Sequence, residues 1–178
     1  MLALAALALT FAGGCAFGDK YTPPAADLPE RTRQIYVYYA TGRTIVEEKR
    51  VIADTPDAIK KALEIALKAQ PQDNPNIAIV QPQGKVLNVK VDKSGLATIN
   101  FNKQILNFEA SKKEKALAFA AIIETIRQFK NVKKLRFQVE GKESGFIDGK
   151  KIENFWGDIS LKDQPWDIDK ILRAPAPK

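Results

Sequence analysis

An alternation of hydrophobic and polar residues on both sides of a short turn constrains the fold of this chain more than any other sequence feature. Every second position is hydrophobic before the turn at residues 92–95 and again after it: Leu87, Val89 and Val91, then Ala97, Ile99 and Phe101. A period of two places alternate side chains on the same face of a strand. The pattern therefore predicts a β-hairpin with one buried face.

The segment before this hairpin predicts two strands and a helix. Residues 34–39 are rich in β-branched and aromatic side chains, and residues 47–52 form a second strand-like run. Residues 54–57 are typical of a helix start, with Thr55 or Asp54 as the cap and a proline in the first turn. Apolar residues then recur at a spacing of four, at Ile59, Leu63 and Leu67. This spacing predicts one buried helix face.

The segment after the hairpin predicts a long helix and another strand. Residues 111–129 form the clearest helical pattern, and Ser111 and Glu114 have the spacing of a capping box. Residues 134–140 alternate strictly between apolar and polar positions. The resulting order is β-β-α-β-β-α-β. It predicts an α+β domain, in which two helices pack on one face of a mainly antiparallel sheet.

The composition excludes several kinds of functional site. Of 178 residues, 45% are hydrophobic and 28% are charged, which suits one globular domain. Because the chain has no histidine, Ser-His-Asp catalysis, Cys-His catalysis and histidine zinc sites are excluded. The single cysteine, Cys15, cannot form an internal disulfide or a multi-cysteine metal site. We therefore expect no metal, no cofactor and no catalytic residue, although chemistry by carboxylates alone stays open.

The first fifteen residues predict a lipid anchor. Residues 1–12 carry no charged side chain and are almost wholly apolar, but a bilayer span needs about 20 such residues. Small residues at 12–14 directly precede Cys15, and this order resembles the lipobox of bacterial lipoproteins. The resemblance implies that Cys15 is acylated and becomes the first residue of an extracytoplasmic, membrane-anchored chain. No basic side chain precedes the apolar run, which departs from the usual signal peptide. The alternative is an incidental or buried cysteine.

Composition also predicts the domain boundaries. We expect a lipoprotein signal peptide at residues 1–14, a tether at 15–32, a folded domain at 33–163 and a C-terminal tail at 164–178. The tether is rich in proline, alanine and charged residues and has no periodicity. A flexible tether of this length would span roughly 25 Å and hold the domain close to the membrane.

Four runs in the folded part resemble the GerMN domain, a module named from a spore-germination protein. They are VYYATG, AIVQPQGKVLNVKVDKSGLATINFN, ALAFAAIIETIRQFKNVKKLRFQVEGK and GDISLKDQPW, which together span residues 37–166. The chain departs from the family in having Gln70-Pro71 where many members have Gly-Pro, and it contains one copy of the module. The resemblance implies a domain without known catalysis, which could self-associate or bind an envelope protein.

Positive charge marks one candidate binding site. The formal net charge is +7, and Lys130, Lys133, Lys134 and Arg136 cluster around the predicted strand at 134–140. They could contact phospholipid or an anionic wall polymer. The alternative is that they protect a strand edge from aggregation. No platform of interleaved basic and aromatic residues indicates a nucleic-acid partner.

Two pairs of carboxylates and one threonine of the predicted long helix supply the remaining candidates. Glu109 with Glu114, and Asp148 with Glu153, could act as catalytic pairs if the fold brings them together, whereas exposed charge is the alternative. Thr125 could contact a partner or could bond back to its own helix.

The sequence predicts a non-enzymatic, lipid-anchored binding or scaffold module of the cell envelope. The membrane contact would pass through the lipid on Cys15. An alternative is an envelope protein that binds a ligand, or hydrolyses it with carboxylates. A component of spore assembly is a third hypothesis.

Overall fold

The computed structural model describes residues 31–171. Cys15, the predicted signal peptide, residues 15–30 of the predicted tether and residues 172–178 lie outside the described residues. The larger elements are β1 Thr32–Ala40, β2 Ile45–Ala53, α1 Ala58–Lys68, β3 Val86–Val91, β4 Leu96–Phe101, α2 Lys112–Arg127 and β5 Lys134–Val139. Three short strands follow, namely β6 Phe146–Ile147, β7 Lys150–Lys151 and β8 Trp166–Asp167. Two 3₁₀ helices lie at Lys103–Asn107 and Leu161–Asp163.

The predicted α+β class and the order of the first seven elements are confirmed. The strands, however, form separate sheets: an antiparallel β1–β2 ribbon, a four-stranded sheet in the order β3-β4-β5-β8, and a small β6–β7 pair. Strands β4 and β5 are parallel, while the other paired strands are antiparallel. The parallel pair follows from α2, because a helix that connects β4 to β5 returns the chain to the same end of the sheet.

Helix α2 lies between the two main sheets. Its buried residues are Ala118, Phe119, Ala121, Ile122, Ile123, Thr125 and Ile126. On one side the helix contacts β1, β2 and α1. On the other side the Phe119 ring lies 5.8 Å from Phe137 of β5 and 5.2 Å from Trp166 of β8, between ring centroids. A helix buried on two sides needs apolar residues around much of its circumference, and α2 has them.

Aromatic rings fill the space beneath the four-stranded sheet. Phe101, Phe119, Phe137, Trp156 and Trp166 form a chain of edge-to-face and tilted contacts. Edge-to-face pairs each add about 0.5–1.5 kcal/mol to the hydrophobic contribution of the buried rings. The predicted inward positions of β5, Leu135, Phe137 and Val139, are all buried.

Side chains, rather than a third strand, complete the edge of β1 that faces away from β2. The Thr125 hydroxyl accepts a hydrogen bond from Tyr38 N at 3.1 Å and donates to Ala121 O at 2.9 Å. The Gln128 side chain accepts from Tyr36 N at 2.9 Å and donates to Tyr36 O at 2.7 Å. These bonds satisfy backbone groups that would otherwise be left unpaired against the helix.

Helix α1 has the predicted apolar face, and the start of α2 was predicted more accurately than that of α1. Ser111 and Glu114 form the predicted capping box of α2. Helix α1 buries Ile59, Leu63 and Leu67 but begins at Ala58, with Asp57 as its N-cap. The predicted caps Thr55 and Asp54 are wrong, because Ala58 N donates to Thr55 O in a preceding turn.

The hairpin is confirmed with one correction at Leu87. This residue was expected on the buried face but is 41% exposed. The register shifts between Val86 and Asn88, so that Val86 pairs with Phe101 and Asn88 with Asn100. A bulge inserts one residue into the strand and moves it off the alternating pattern. Val86 is the buried residue at this end of the hairpin.

The packed structure extends beyond residue 163, where the sequence predicts the start of the tail. Trp166 pairs with Leu135 in the four-stranded sheet, and Ile168 N donates to Lys133 O at 3.0 Å. Trp166 and Ile168 are both buried. The C-terminal segment therefore contributes to the core at least as far as Ile168.

We expect Thr125→Val to destabilise the domain by about 1–3 kcal/mol, because it leaves Tyr38 N–H without an acceptor beside the helix. Thr125→Ser keeps the hydroxyl and should cost less than Thr125→Val. Urea unfolding and amide exchange at Tyr38 measure both effects. Equal stability of Thr125→Val and the wild type would contradict the assigned bond.

Candidate functional site

Lysines from the β3–β4 turn, the α2–β5 loop and the start of β5 form an exposed basic surface at one end of the domain. We define this basic end as Lys93, Lys130, Lys133 and Lys134, all of which are exposed. The turn at residues 92–95 contacts the α2–β5 loop, since Lys133 N and Lys134 N both donate to Gly95 O, at 2.8 and 3.1 Å. The sequence pattern did not indicate Lys93 as a candidate, because Lys93 lies near the other three lysines only through this tertiary contact.

Close packing at Gly95 fixes the two loops together. Gly95 has a φ of +85°, and a Cβ at this position would lie 3.1 Å from Asn131 O and 3.0 Å from Lys133 Cγ. Only glycine combines this backbone conformation with so close an approach. The Asp92 carboxylate orders the same turn by accepting bonds from Ser94 N at 2.8 Å and Leu96 N at 3.1 Å.

The start of β1 lies at the basic end. The Arg33 guanidinium lies 5.5 Å from the centroid of the Phe129 ring, and Phe129 directly precedes Lys130. Asp54 N donates to Arg31 O, which holds the first described residue beside the end of β2. The chain that precedes the domain therefore enters at the basic end.

At this end of the domain, some basic side chains form ion pairs and others do not. Arg33 pairs with Asp54 at 3.5 Å, and Lys170 pairs with Asp167 at 3.6 Å. The four lysines of the basic end form no ion pair with any residue between 31 and 171. Their charges are therefore available to an external anion.

Arg136, the remaining basic candidate, differs from the lysines. It lies in β5, is half-buried, and forms an ion pair with Glu143 at 3.7 Å. Strand β8 pairs with β5 only at Lys134 and Leu135, so the suggested role of these residues in protecting a strand edge stays a prediction.

The candidate carboxylates have mostly structural partners. Hydrogen bonds from Ser111 hold the pKa of the Glu114 carboxyl below its ordinary value, and Glu114 belongs to the capping box. The Lys103 ammonium, 2.8 Å from Asp148, lowers the pKa of that carboxyl. Glu153 is buried, the nearby backbone N–H groups of Glu153 and Gly145 lower the pKa of its carboxyl, and its Oε2 has no hydrogen-bond partner among the described residues. Glu109 is exposed.

Of the two roles expected for Thr125, the structure shows the hydrogen bond back to its own helix. It is fully buried and bonds back to Ala121 O, as described above. Within residues 31–171, no group of three or more aspartate, glutamate, histidine or cysteine residues is placed to hold a metal ion.

A second candidate site is a polar cleft that sequence reasoning missed. We define the amide cleft by Gln70, Gln81, Gln83, Gln104 and Asn107, which line a cavity of about 850 Å³. These residues come from the end of α1, the segment before β3 and the first 3₁₀ helix. Only the fold brings the three segments together, so no spacing in the sequence indicates the cleft.

Among the residues that the structure describes, no helix is both long enough and apolar enough to cross a membrane. Both candidate sites lie on this described part of the chain.

Comparison with known proteins identifies the family. The Germane family model, described as sporulation and spore germination, matches residues 34–145, which is more than half of the chain. No curated protein matches the sequence significantly.

Solved structures show the same fold. The first GerMN domain of the sporulation protein GerM from Bacillus subtilis is 21% identical, with a TM-score of 0.51, and covers 74% of this chain and 99% of that one. The tandem GerMN domains of the same protein give the same identity and TM-score, over 75% of this chain and 48% of the tandem structure. A candidate lipoprotein from Clostridium perfringens is 22% identical over 80% of this chain and 91% of that one, with a TM-score of only 0.46.

The predicted resemblance is therefore confirmed: the chain belongs to the Germane family of sporulation and spore germination domains.

Proposed function

We propose that this protein is a lipid-anchored, non-enzymatic domain of the bacterial cell envelope that turns its basic end toward an anionic membrane surface. The observation that carries the proposal is the position of the basic end, where the chain enters β1. A role in sporulation or spore germination is proposed from the family alone.

The length of the preceding segment supports a position close to the membrane. Sixteen residues lie between Cys15 and Thr32, and the predicted tether would span roughly 20–25 Å. A domain held at its basic end by so short a tether would bring that end nearer to the lipid headgroups than any other part. Electrostatic attraction acts over about 8 Å at physiological ionic strength, so this nearness is required for it to matter.

The energetics suit an orienting contact rather than an independent anchor. A lysine near an anionic bilayer contributes about 1 kcal/mol, so four lysines contribute about 4 kcal/mol at best. Acyl chains contribute about 0.8 kcal/mol for each buried CH₂ group and would dominate retention on the membrane. The lysines would then set which face of the domain meets the lipid.

The absence of histidine and the state of the carboxylates support a non-enzymatic role. Glu114 and Asp148 are bonded to Ser111 and Lys103, which removes them as ready general bases. Glu153 is buried and therefore poorly accessible to a substrate.

We expect Cys15→Ser to abolish incorporation of a fatty-acid label in bacterial cells, because the acylated sulfur is lost. The label is read on the purified protein after gel electrophoresis, with Thr125→Ser as the matched control that keeps Cys15. Equal labelling of Cys15→Ser and the control would contradict the lipid anchor.

The basic end can be tested without the lipid. In a chain beginning at residue 15 with Cys15→Ser, we expect Lys130→Gln, Lys133→Gln and Lys134→Gln together to weaken binding to phosphatidylglycerol vesicles. The reduction should approach 100-fold at low salt, from about 1 kcal/mol for each lysine. Vesicle sedimentation measures the partition coefficient.

The matched control removes the same charge elsewhere, with Lys49→Gln, Lys61→Gln and Lys142→Gln. These three lysines are also exposed and lie outside the basic end. The control triple should lose much less binding. Equal losses in the two triples would show that net charge, rather than the basic end, governs membrane contact.

A further inference from the structure

The outer edge of β2 is an open strand edge. At the turn between β1 and β2, Thr41 N donates to Thr44 O at 2.8 Å, and from there bonded and non-bonded pairs alternate along an antiparallel ladder. The even-numbered residues of β2 therefore bond to β1. Glu47, Lys49 and Val51 direct their N–H and C=O groups away from β1, and no hydrogen bond from residues 31–171 reaches these groups.

The neighbouring edges are closed or interrupted. Thr125 and Gln128 bond to the outer edge of β1, as described above. The outer edge of β3 contains the bulge at Leu87, and Lys60 Nζ donates to Leu87 O at 3.4 Å. Bulges and lysines hinder pairing at a strand edge. Among the described strands, β2 thus offers the longest regular edge.

The exposed face of β2 carries charges of both signs. Glu47 and Lys49 are exposed, and neither forms an ion pair with any residue between 31 and 171. Val51, on the same face, is 66% exposed, and Ile45 is half-buried. A partner strand that fits this edge must offer a cation, an anion and an apolar side chain at alternate positions.

A second copy of the same edge meets this requirement. When two β2 strands pair antiparallel about Glu48, Glu47 lies opposite Lys49 of the second copy, and Ile45 lies opposite its Val51. Two-fold symmetry repeats each pair, and each pair exchanges two backbone hydrogen bonds. We propose that two copies of this protein associate through their β2 edges in this register.

Other registers are unfavourable. A shift by one residue would present backbone groups that already bond to β1, and shifts by two residues would place Lys49 opposite Lys49 or Glu47 opposite Glu47. Glu48, at the two-fold axis, is already satisfied within its own copy. Its carboxylate lies 2.5 Å from Arg50 Nε and accepts from Gln72 N at 2.9 Å.

The pairing determines how the two basic ends are arranged. Strand β2 ends beside Arg31, where the chain enters the domain at its basic end. Because the two β2 strands run in opposite directions, the two basic ends point away from each other. With the membrane orientation proposed above, on which this consequence rests, the two copies are anchored in two facing membranes. Many such pairs would hold the two membranes together.

Sedimentation of the full chain, in a detergent whose density matches the buffer, measures the pairing. We expect a monomer–dimer equilibrium in the wild type. Glu47→Lys and Lys49→Glu each place like charges opposite one another twice and should raise the dissociation constant by about tenfold or more. Circular dichroism of each variant confirms that it is folded.

Mixing the two variants tests the register. An equimolar mixture should dimerise about as strongly as the wild type, because one variant then offers two cations and the other two anions. Glu109→Lys and Lys61→Glu are the matched controls, since they make the same charge changes at exposed positions outside β2. The controls should dimerise like the wild type and gain nothing on mixing.

Three outcomes would overturn the pairing. The first is a wild type that stays monomeric up to about 1 mM, which would leave the edge to an extended segment of another protein. The second is unchanged dimerisation of Glu47→Lys and Lys49→Glu, and the third is no recovery in their mixture. None of these measurements uses the lipid or the basic end, so failure of the fatty-acid label or of vesicle binding leaves the pairing standing.

Vesicle clustering tests the facing membranes. The lipidated Glu47→Lys chain is placed on one population of phosphatidylglycerol vesicles and the lipidated Lys49→Glu chain on another. Light scattering should rise when the two populations are mixed and should stay low within each population alone. Recovery of dimers in detergent without clustering of the mixed vesicles would overturn the facing arrangement.

Discussion

The burial of α2 between the two main sheets is the constraint on which the rest of the structure depends. Phe119 joins the aromatic cluster beneath the four-stranded sheet, while Thr125 and Gln128 bond to the edge of β1. The same helix makes β4 and β5 parallel and delivers the α2–β5 loop to the turn at Gly95. The basic end is thus a consequence of where α2 stops.

Placing a helix against a strand edge requires polar side chains at the junction. Backbone groups of β1 cannot pair with helical backbone, so Thr125, Gln128 and Gln81 accept their hydrogen bonds instead. This arrangement links the fold to the amide cleft. Gln81 is required to complete β1, and its position leaves one NH₂ group directed to no protein partner.

The sequence predicted most of the fold because its hydrophobic periods are strong. It failed where a feature is too short or too local to leave a period, as at the Leu87 bulge and the two-residue strand that contains Trp166. Three of the four lysines of the basic end were predicted from their closeness in the chain. Lys93 and the amide cleft were not, since tertiary contacts alone bring these segments together.

In the proposed orientation, the basic end faces the membrane. Because Cys15 would be acylated, a cysteine introduced at Lys93 or at Lys142 gives one thiol for a fluorophore. These positions flank opposite ends of the β4–β5 pair, about 20 Å apart at the usual rise of a strand. Energy transfer to a headgroup dye in anionic vesicles should be stronger from Lys93→Cys than from Lys142→Cys. Equal transfer, or stronger transfer from Lys142→Cys, would contradict the proposed orientation.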